Sequence, residues 1–420
     1  MASVVLALAL WAVALSNRGP LRTHPLASAL VFVAASRLIT VALVPAPLQS
    51  DFLSYHNLGV EISQHGPMLS SIPTGYPMAL GVVYALFGPQ VVVAQLLNCA
   101  IAVAIATLVF DITQRLWDRR AAVWAIWLFA LAPSQILMTS VLGSEAPYCL
   151  LLMLSFWLAV RFGWRRLAVA VAIAGLLGAS NYVRVTTPAI IPAFALVPFL
   201  GAVPFQRAAF WAALLVGGFL VMQAPVIVWN EQTKGELSIP PSDFGGWSLL
   251  VGTDPAHGGS YDADLLKVVG VPNTSPDFDK RALQIAIDRL RAHPIQFVAL
   301  AVRKFPRMWG LENYGEYYTF GTSPGSNQDV GQGLLAVSQV TYLAITALAA
   351  VGLWLMRRSP PVVVLAIVVA VASVAAVHTF LEIEPRYHAY FVPLFCVLAG
   401  PAGAALRLPR LRGARGAAPV

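Results

Sequence analysis

The sequence predicts an all-α protein that crosses a membrane many times, and three observations predict this fold class. Of its residues, 58% are hydrophobic and only 11% are charged, whereas a soluble globular protein carries about 25% charged residues. Several apolar runs reach the roughly 20 residues that a helix needs to cross about 30 Å of hydrocarbon. The net charge of +8 comes mostly from arginines in short loops between these runs, which indicates membrane topology rather than nucleic-acid binding.

The apolar runs predict a bundle of about 10–11 transmembrane helices. The runs lie at about 26–46, 89–113, 121–137, 146–162, 166–181, 186–202, 208–229, 334–356, 361–379 and 387–405. The N-terminal stretch "MASVVLALALWAVALS" lacks a basic n-region, so residues 1–16 are either a short extra helix or a weak signal-anchor. The three cysteines lie inside apolar runs, and we interpret them as buried hydrophobic residues.

The basic residues predict how the chain is oriented. Arginines lie in every second loop: Arg18, Arg22, Arg115, Arg119, Arg120, Arg161, Arg165, Arg166, Arg207, Arg357, Arg358, Arg407, Arg410, Arg412 and Arg415. These loops are expected to face the cytoplasm, and the loops 47–88, 133–145, 182–186, 230–333 and 379–386 to face outward. The preference for Arg over Lys is typical of a GC-rich bacterial gene, so we expect the cytoplasmic membrane of a bacterium.

The predicted division of the chain follows from this topology. It comprises an apolar N-terminal segment with a cytoplasmic loop (1–25), a transmembrane bundle that includes the outer loop 47–88 (26–229), an outer, periplasmic loop region (230–333), C-terminal transmembrane helices (334–405) and a basic cytoplasmic tail (406–420).

The long outer region contains two predicted helices. The first runs from about Asp277 to Arg291 and has Leu283, Ile287 and Leu290 on one apolar face. The second, "HPIQFVALAVRKFPRMWG", is expected to lie on the outer leaflet, because basic residues stand at its end beside a tryptophan.

The stretch "PLQSDFLSYHNLGVEISQHG" places a carboxylate directly after the first long apolar run. Asp51 begins a helix there, and the spacing puts Tyr55 and Leu58 on the same side. Asp51 is either the N-cap of this helix or a general base at the membrane surface. Residue type alone favours the cap by roughly two to one.

Further charged residues lie at predicted outer boundaries. Glu145 starts a span, where a helix N-terminus favours a carboxylate. Arg184 ends a span on the outer side, against the charge rule, and needs a carboxylate or a lipid phosphate as its partner. The segment "HTFLEIEPRYHAYFVPLFCVLAG" adds Glu382, Glu384, Arg386, Tyr387 and His388. Arg37, inside the first span, is expected to be structural and neutralised by a helix neighbour. Each outer charge could simply form an internal ion pair, but together they supply a base and cations for a leaving phosphate.

The order of these motifs resembles that of the bacterial family-39-type, C-class (GT-C) membrane glycosyltransferases, whose relatives include the protein O-mannosyltransferases and the lipid A aminoarabinose transferases. The motifs run from the apolar span with Arg37 through "SDFLSYHNLGVEISQHG", "PTGYPMALGVVYALFG", the Ser144-Glu145 pair, "YVRVTTP" and "WNEQTKGELSIPPSDFGGWSLLVGTDP" to "AHPIQFVALAVRKFPRMWG" and "EPRYHAYFVPLFCVLAG". The resemblance implies a GT-C-like bundle, short helices in the first outer loop, and one long outer loop.

The resemblance also implies an activity and a site. It implies inverting transfer of a sugar from a polyprenyl-phosphate donor to an acceptor at the outer face. Asp51 would be the general base. The residues implied for the substrate or acceptor are Tyr55, His56, Tyr76, Glu145 and Glu384. Those implied for the lipid phosphate are Arg184, Arg303, Lys304 and Arg386.

Two departures leave the acceptor and any divalent metal open. Asp51 is followed by Phe52, where the protein O-mannosyltransferases have an Asp-Glu pair, and the usual Pro-Pro-Gly-Tyr-Pro is here Pro73-Thr74-Gly75-Tyr76-Pro77. The expected partners are membrane lipids, the lipid-linked sugar and a glycan, lipid or protein acceptor, and no nucleic acid.

Two other functions stay open from the sequence. The protein could be a transporter or flippase of lipid-linked sugars, or a non-catalytic scaffold for envelope assembly. Transporters usually place polar residues at mid-membrane on broken helices, whereas most of the charged residues here cluster at the outer boundary. The enzyme interpretation is therefore favoured.

Overall fold

The fold is taken from a computed structural model that describes residues 24–44, 48–163, 166–200, 203–235, 237–239, 245–273, 275, 277–321 and 328–406. Within these ranges the chain consists of helices and turns, without a strand, as the sequence predicts. The predictions for the segment 1–16 and for the basic tail beyond residue 406 lie outside the described residues.

The first half of the chain forms one end-to-end series of helices. These are α1 (Pro25–Leu43), α2 (Ser50–His65), α3 (Gly75–Phe87), α4 (Val91–Leu116), α5 (Arg119–Ala130), α6 (Pro133–Leu137) with the 3-10 turn Met138–Ser140, α7 (Glu145–Phe162), α8 (Leu167–Val183), α9 (Thr187–Leu200) and α10 (Phe205–Lys234).

The second half begins with the shorter helices of the predicted outer region. These are α11 (Gly245–Gly252), α12 (Asp264–Val269), α13 (Phe278–Ala292), α14 (Pro294–Gly310) and α15 (Tyr314–Glu316), followed by the turn Tyr317–Gly321. Long helices then return as α16 (Gln328–Met356), α17 (Val362–Phe380), the 3-10 turn Pro385–Phe391 and α18 (Val392–Ala405).

The membrane-spanning helices agree with the predicted spans. Among the described residues, seven helices are long and apolar enough to cross a membrane: α1, α4, α7, α10, α16, α17 and the segment Pro385–Ala405. Helix α5 and the segment Pro133–Ser140 meet the same length and hydropathy criteria only together, and they are bent by 64° at their junction, as in a broken span or a re-entrant loop. The shorter apolar helices α8 and α9 correspond to the two remaining runs. The polytopic, all-helical fold class is thereby confirmed.

Helix α18 lies at the centre of the bundle. The segment Pro385–Ala405 is 83% buried, against 17% for the span α1, and α18 packs against α4, α5 and α16. The backbones approach so closely that a Cβ at Gly352 of α16 would lie 2.0 Å from the carbonyl oxygen of Leu398. The turn Pro385–Phe391 is therefore fixed at the rim of the most buried helix.

Helices α2 and α3 form a close pair at the end of the bundle where α1 finishes. A Cβ at Gly81 would lie 2.4 Å from a side-chain carbon of Ile62, so only glycine allows this spacing. Tyr55, Leu58 and Ile62 are buried on the inner face of α2. This pair is the predicted set of short helices in the first outer loop, and it holds the start of α2 in place.

The region between α10 and α16 has its own small core, which joins α11, α12 and α13. Helix α13 agrees with the predicted helix, and its buried residues differ from the three apolar residues that share one face in the sequence. Phe278, Ala282 and Ala286 are buried, whereas Leu283 is exposed. The close approach of α11 to α13 is at Gly246, where a Cβ would lie 2.1 Å from the carbonyl oxygen of Asp279 and 2.9 Å from the Cβ of Leu283. The Asp279 carboxylate caps α11 by accepting hydrogen bonds from its first backbone amides.

Candidate functional site

Asp51 lies in the first turn of α2 and forms an ion pair with Arg386. The Nη2 atom of Arg386 donates to Oδ2 of Asp51 at 3.0 Å. The residue at the N-cap position is Gln49, and no side chain caps the helix, so the N-cap interpretation of Asp51 is wrong. The Asp51 side chain is 45% exposed. It is held by one arginine and still reaches open space.

The backbone just before Asp51 is unusual. Ser50 has a φ of +49°, the only positive φ of a non-glycine residue in the described chain. Residues other than glycine rarely adopt this conformation, and it costs of order 1 kcal/mol. This conformation falls at the first residue of α2, directly before Asp51.

Glu145 and Arg184 form a second, deeper ion pair. Arg184 donates through Nη1 to Oε1 of Glu145 at 2.6 Å and to Oγ of Ser144 at 2.9 Å. The hydroxyl of Tyr314 donates to the other oxygen of Glu145 at 3.3 Å. Burial lowers the pKa of Arg184, but the Glu145 carboxylate together with Tyr390 and Tyr387 outweighs burial, and the pKa is raised. The anionic partner that the sequence demands for Arg184 is therefore a carboxylate.

The ring of Tyr387 joins the two ion pairs. The guanidinium carbon of Arg184 lies 5.2 Å from the centre of this ring, and that of Arg386 lies 5.6 Å from it. Both Nε atoms are buried, and neither has a hydrogen-bond partner in the described part of the chain. Two arginines with spare donors on one aromatic ring form a favourable site for an anion.

Two further carboxylates lie beside Arg386. Burial raises the pKa of Glu382 to about 7, and the charges of Glu384 and Asp51 add to this shift while Arg386 opposes it. Burial likewise raises the pKa of Glu384, again opposed by Arg386. Glu384 was predicted as a site residue and Glu382 was not, although both stand in the quoted segment "LEIEPRY". A carboxyl group that titrates near neutral pH thus lies next to the candidate base.

Aromatic side chains wall the site. Tyr55 is buried and lies among Asp51, Glu145 and Arg184, and burial together with the Asp51 charge raises its pKa to about 12. Phe52 meets Tyr318 edge-on at 4.8 Å between ring centres. Tyr55 is a predicted site residue, whereas the sequence motifs assign no role to Tyr314, Tyr318 or Tyr387.

Two of the predicted substrate-binding residues make structural contacts instead. His56 pairs through Nδ1 with the hydroxyl of Tyr84 at 2.8 Å, and burial lowers its pKa. Tyr76 is fully buried and donates to Oδ1 of Asn98 at 3.0 Å. The first bond ties α2 to α3 and the second ties α3 to α4, so these side chains support the site from behind.

Lys304 and Arg303 do not join the cluster around Asp51. The Lys304 ammonium is buried and donates to the backbone carbonyls of Gly252, Thr379 and Leu381 at 2.7 to 2.9 Å, which uses all three of its hydrogens. Arg303, on the next face of α14, is exposed and lines a separate groove. We therefore leave both residues out of the proposed site.

Arg37 is fully buried in α1, but no acid neutralises it. Its guanidinium lies 5.1 Å from the centre of the Phe129 ring. Its Nη1 atom makes only long bonds, to the carbonyl of Val33 and to Ser36 Oγ, at 3.4 and 3.3 Å. Among the described residues no carboxylate comes within ion-pair distance. The expected neighbour is therefore an aromatic face rather than an acid.

A metal site does not emerge from the described residues. No group of three or more His, Cys, Asp or Glu side chains comes together there in a way that could hold an ion. The carboxylates around Arg386 are arranged about a guanidinium, which already supplies positive charge. We derive no step through a metal.

Comparison with solved structures gives the fold a precedent. The archaeal oligosaccharyltransferase AglB from Archaeoglobus fulgidus, in complex with an inhibitory peptide and a dolichol-phosphate, superimposes with a TM-score of 0.54 at 12% identity, over 91% of this chain and 50% of that one. An Archaeoglobus fulgidus oligosaccharyltransferase tethered with an acceptor peptide gives a TM-score of 0.53 at 13% identity, over 90% of this chain and 49% of that one. The chain thus spans about half the length of these enzymes and shares their fold.

A more distant similarity is to ArnT from Cupriavidus metallidurans bound to undecaprenyl phosphate, with a TM-score of 0.43 at 15% identity over 90% of this chain and 76% of that one. At that TM-score it carries no argument here. No protein-family model matches the chain, and no curated protein matches it in sequence. The fold that this chain shares with the oligosaccharyltransferase confirms, at the level of fold, the resemblance inferred from the sequence.

Proposed function

We propose that the protein is an integral-membrane glycosyltransferase. It would transfer a sugar from a polyprenyl-phosphate donor to an acceptor hydroxyl at the outer face of a bacterial cytoplasmic membrane, with inversion at the anomeric carbon. The observation that carries the proposal is the meeting of Asp51, Arg386, Arg184 and Glu145, from four distant segments, at one end of a GT-C fold. A neighbour with this fold was solved with a dolichol-phosphate bound, which supports a lipid-phosphate donor.

Asp51 is the general base of this proposal. Its carboxylate is half exposed, so an acceptor hydroxyl can approach it, and the bond from Arg386 fixes its direction. As the acceptor oxygen attacks the anomeric carbon, its proton passes to Asp51 and the bond from the sugar to the lipid phosphate breaks. A positioned base of this kind contributes about 10² to 10⁴ in rate.

Arg184 and Arg386 bind the phosphate that leaves. Their free Nε donors flank the Tyr387 ring and can make charge-assisted hydrogen bonds to phosphate oxygens. Negative charge grows on the phosphate as the sugar departs, so fixed guanidinium groups stabilise the transition state more than the ground state. Glu145 positions Arg184, and Tyr55 and Glu384 border the space that the sugar or acceptor occupies.

The test uses purified protein in lipid with a panel of polyprenyl-phosphate sugars and an extract of envelope components as acceptor. Wild type should consume one donor, and Asp51→Asn should do so about 10² to 10⁴ times more slowly. Glu61→Gln is the matched control, because Glu61 is an exposed carboxylate on the same helix. Equal rates for Asp51→Asn and wild type would remove Asp51 as the base. Donor that crosses the bilayer intact would favour the transporter alternative.

A further inference from the structure

Helix α14 has three different faces. Leu300, Lys304 and Met308 are buried against the rest of the protein. A second face carries exposed apolar side chains, whose exposed fractions run from 61 to 83%: Ile295, Val298, Val302 and Phe305. The third face is polar and basic and carries Gln296, Arg303 and Arg307. A water-facing helix would not expose such a stripe, because each large apolar side chain left in water costs about 1.5–3 kcal/mol relative to burial.

The helix lies across the ends of two membrane spans. Near its start, Phe297 stacks on Phe380, the last residue of α17, at 5.2 Å between ring centres. Near its end, Trp309 meets Phe391 and Phe395 at the start of α18, at 5.8 and 6.2 Å. The helical rise from Phe297 to Trp309 is about 18 Å. A helix anchored in this way runs along the membrane surface, at the level where the spans end.

The basic face of α14 lines a groove. One cavity of about 440 Å³ lies between α14 and residues 255–258, and a second of about 260 Å³ shares Pro255, Gln296 and Leu300 with it. Arg303 lines the larger cavity and has no hydrogen-bond or ion-pair partner in the described chain. Arg307 lines it too, and donates only to backbone carbonyls of residues 257 and 258. Two cations in this groove are therefore not neutralised by any carboxylate within ion-pair distance.

The smaller cavity is nearly neutral by comparison. Arg289 lines it but pairs with Asp254 at 3.1 Å, and His257 shares the same carboxylate at 2.7 Å. The net positive charge is concentrated at Arg303 and Arg307. Both lie next to the exposed apolar stripe, one helical face away.

We infer that this groove binds the phosphate headgroup of an anionic phospholipid, while the apolar stripe of α14 contacts the acyl chains of the same leaflet. A helix with an apolar face and basic residues beside it is the arrangement that binds an anionic membrane surface. The residues that line the groove differ from those of the Asp51 cluster, although Arg307 is near enough to Glu384 to act on its charge; the groove holds a lipid of the bilayer rather than the sugar donor. Its occupation would fix α14, and through Lys304 the loop that leads to Glu382.

The test places a fluorophore in the groove. Ala299 lines the larger cavity and is exposed, so Ala299→Cys can be labelled with a maleimide. The native cysteines Cys99, Cys149 and Cys396 are buried and should not react. In phosphatidylcholine vesicles, headgroup-labelled phosphatidylglycerol should quench this fluorophore at a lower mole fraction than headgroup-labelled phosphatidylcholine does.

Arginine variants connect the quenching to the groove. Arg303→Gln and Arg307→Gln should each raise, about fivefold, the mole fraction of phosphatidylglycerol that gives half-maximal quenching. One basic residue near an anionic surface contributes roughly that factor to the affinity for the surface. Arg303→Lys should retain the preference, and Arg281→Gln, an exposed arginine on α13, should not change it. Equal quenching by both lipids, or no effect of Arg303→Gln, would overturn the inference.

Two further arms separate the alternatives. If inorganic phosphate, substituted for chloride at equal ionic strength, abolishes the preference, the groove binds a soluble phosphate and the lipid proposal is wrong. A label at Val302→Cys should be quenched by acyl-chain-labelled lipid and protected from a water-soluble quencher. The opposite result would show that α14 lies in water. None of these measurements depends on glycosyl transfer.

Discussion

Breaking the Arg184–Glu145 ion pair tests how the candidate site is built. The perturbation is Arg184→Met, which removes the guanidinium and leaves the Glu145 carboxylate with only the hydroxyl of Tyr314, at 3.3 Å. Glu145 is 1% exposed and Arg184 11%, so water cannot replace the lost partner. Removal of one partner from a buried pair destabilises a protein by about 3–5 kcal/mol, and we expect a loss of that size.

Glu145→Gln and the double variant Arg184→Met/Glu145→Gln complete a double-mutant cycle, and each should lose a different amount of stability. Glu145→Gln leaves Arg184 with Ser144 and with two tyrosine rings at 5.2 and 5.7 Å. It should therefore cost less than Arg184→Met but more than about 1 kcal/mol. The double variant should cost clearly less than the sum of the singles, because neither charge is then left alone.

The assay is SDS titration in mixed micelles, followed by tryptophan fluorescence. Arg115→Gln is the matched control, since Arg115 also meets a carboxylate at 2.6 Å but both side chains are about one-third exposed. An exposed pair contributes only about 0.2–1 kcal/mol. If Arg184→Met costs no more than Arg115→Gln, or if the two site substitutions simply add, the account of a buried, coupled pair is refuted.

Three further predictions concern other parts of the same end of the bundle. The pKa of Glu382 is about 7 in the folded protein and ordinarily 4.5. The protonated carboxyl group is favoured in the folded state, so its stabilising contribution is full below pH 4.5 and is lost as the pH rises through 7. Glu382→Gln should remove this part of the pH dependence of the unfolding midpoint. An unchanged pH dependence in the variant would contradict this assignment. Lys304→Met leaves three buried carbonyls without their donor and should destabilise the protein by at least about 3 kcal/mol. The control Lys267→Met, at an exposed lysine, should leave the SDS midpoint unchanged. Equal midpoints for the two variants would show that the three hydrogen bonds are weak. Gly75→Ala places a Cβ 2.6 Å from Cγ2 of Val183 and should lower the stability by about 1–3 kcal/mol. The control Gly175→Ala has open space around its Cβ and should be neutral or stabilising in the same titration. A neutral Gly75→Ala would mean that α3 can move away.

The sequence located most of the charged residues of the site because a charge at the edge of an apolar run is conspicuous. Asp51, Glu145, Arg184 and Arg386 each interrupt such a run, and burial of a charge is too costly to be accidental. The spans could be predicted for a related reason, since length and hydropathy alone decide whether a helix can cross a bilayer.

The pairing of these charges could not be predicted. Arg184 could have met a carboxylate or a lipid phosphate, and the choice of Glu145 depends on how α7 and α8 pack. Arg303 and Lys304 are neighbours in sequence, yet the 100° turn between adjacent helical residues puts one in a groove and the other against three carbonyls. Periodicity shows that a helix is amphipathic, but the surrounding contacts decide which face is buried.

The same limit applies to the buried face of α13 and to Glu382. In α13 the larger apolar residues share one face, but the core with α11 and α12 takes Phe278, Ala282 and Ala286. Glu382 differs from Glu384 by burial and by its neighbours, which the sequence does not contain. Tyr387 and Tyr314 resemble ordinary aromatic core residues until the arginines above their rings are known.

The most direct test of the central claim separates donor binding from transfer in Asp51→Asn. Asparagine keeps an oxygen that can accept the bond from Arg386, so the arginines should stay in place and the donor should bind with an unchanged Kd. Single-turnover release of the sugar in the presence of acceptor should fall by about 10² to 10⁴. Unchanged binding with this loss is the result we predict. Unchanged release, or loss of binding together with release, would contradict a role for Asp51 as the base.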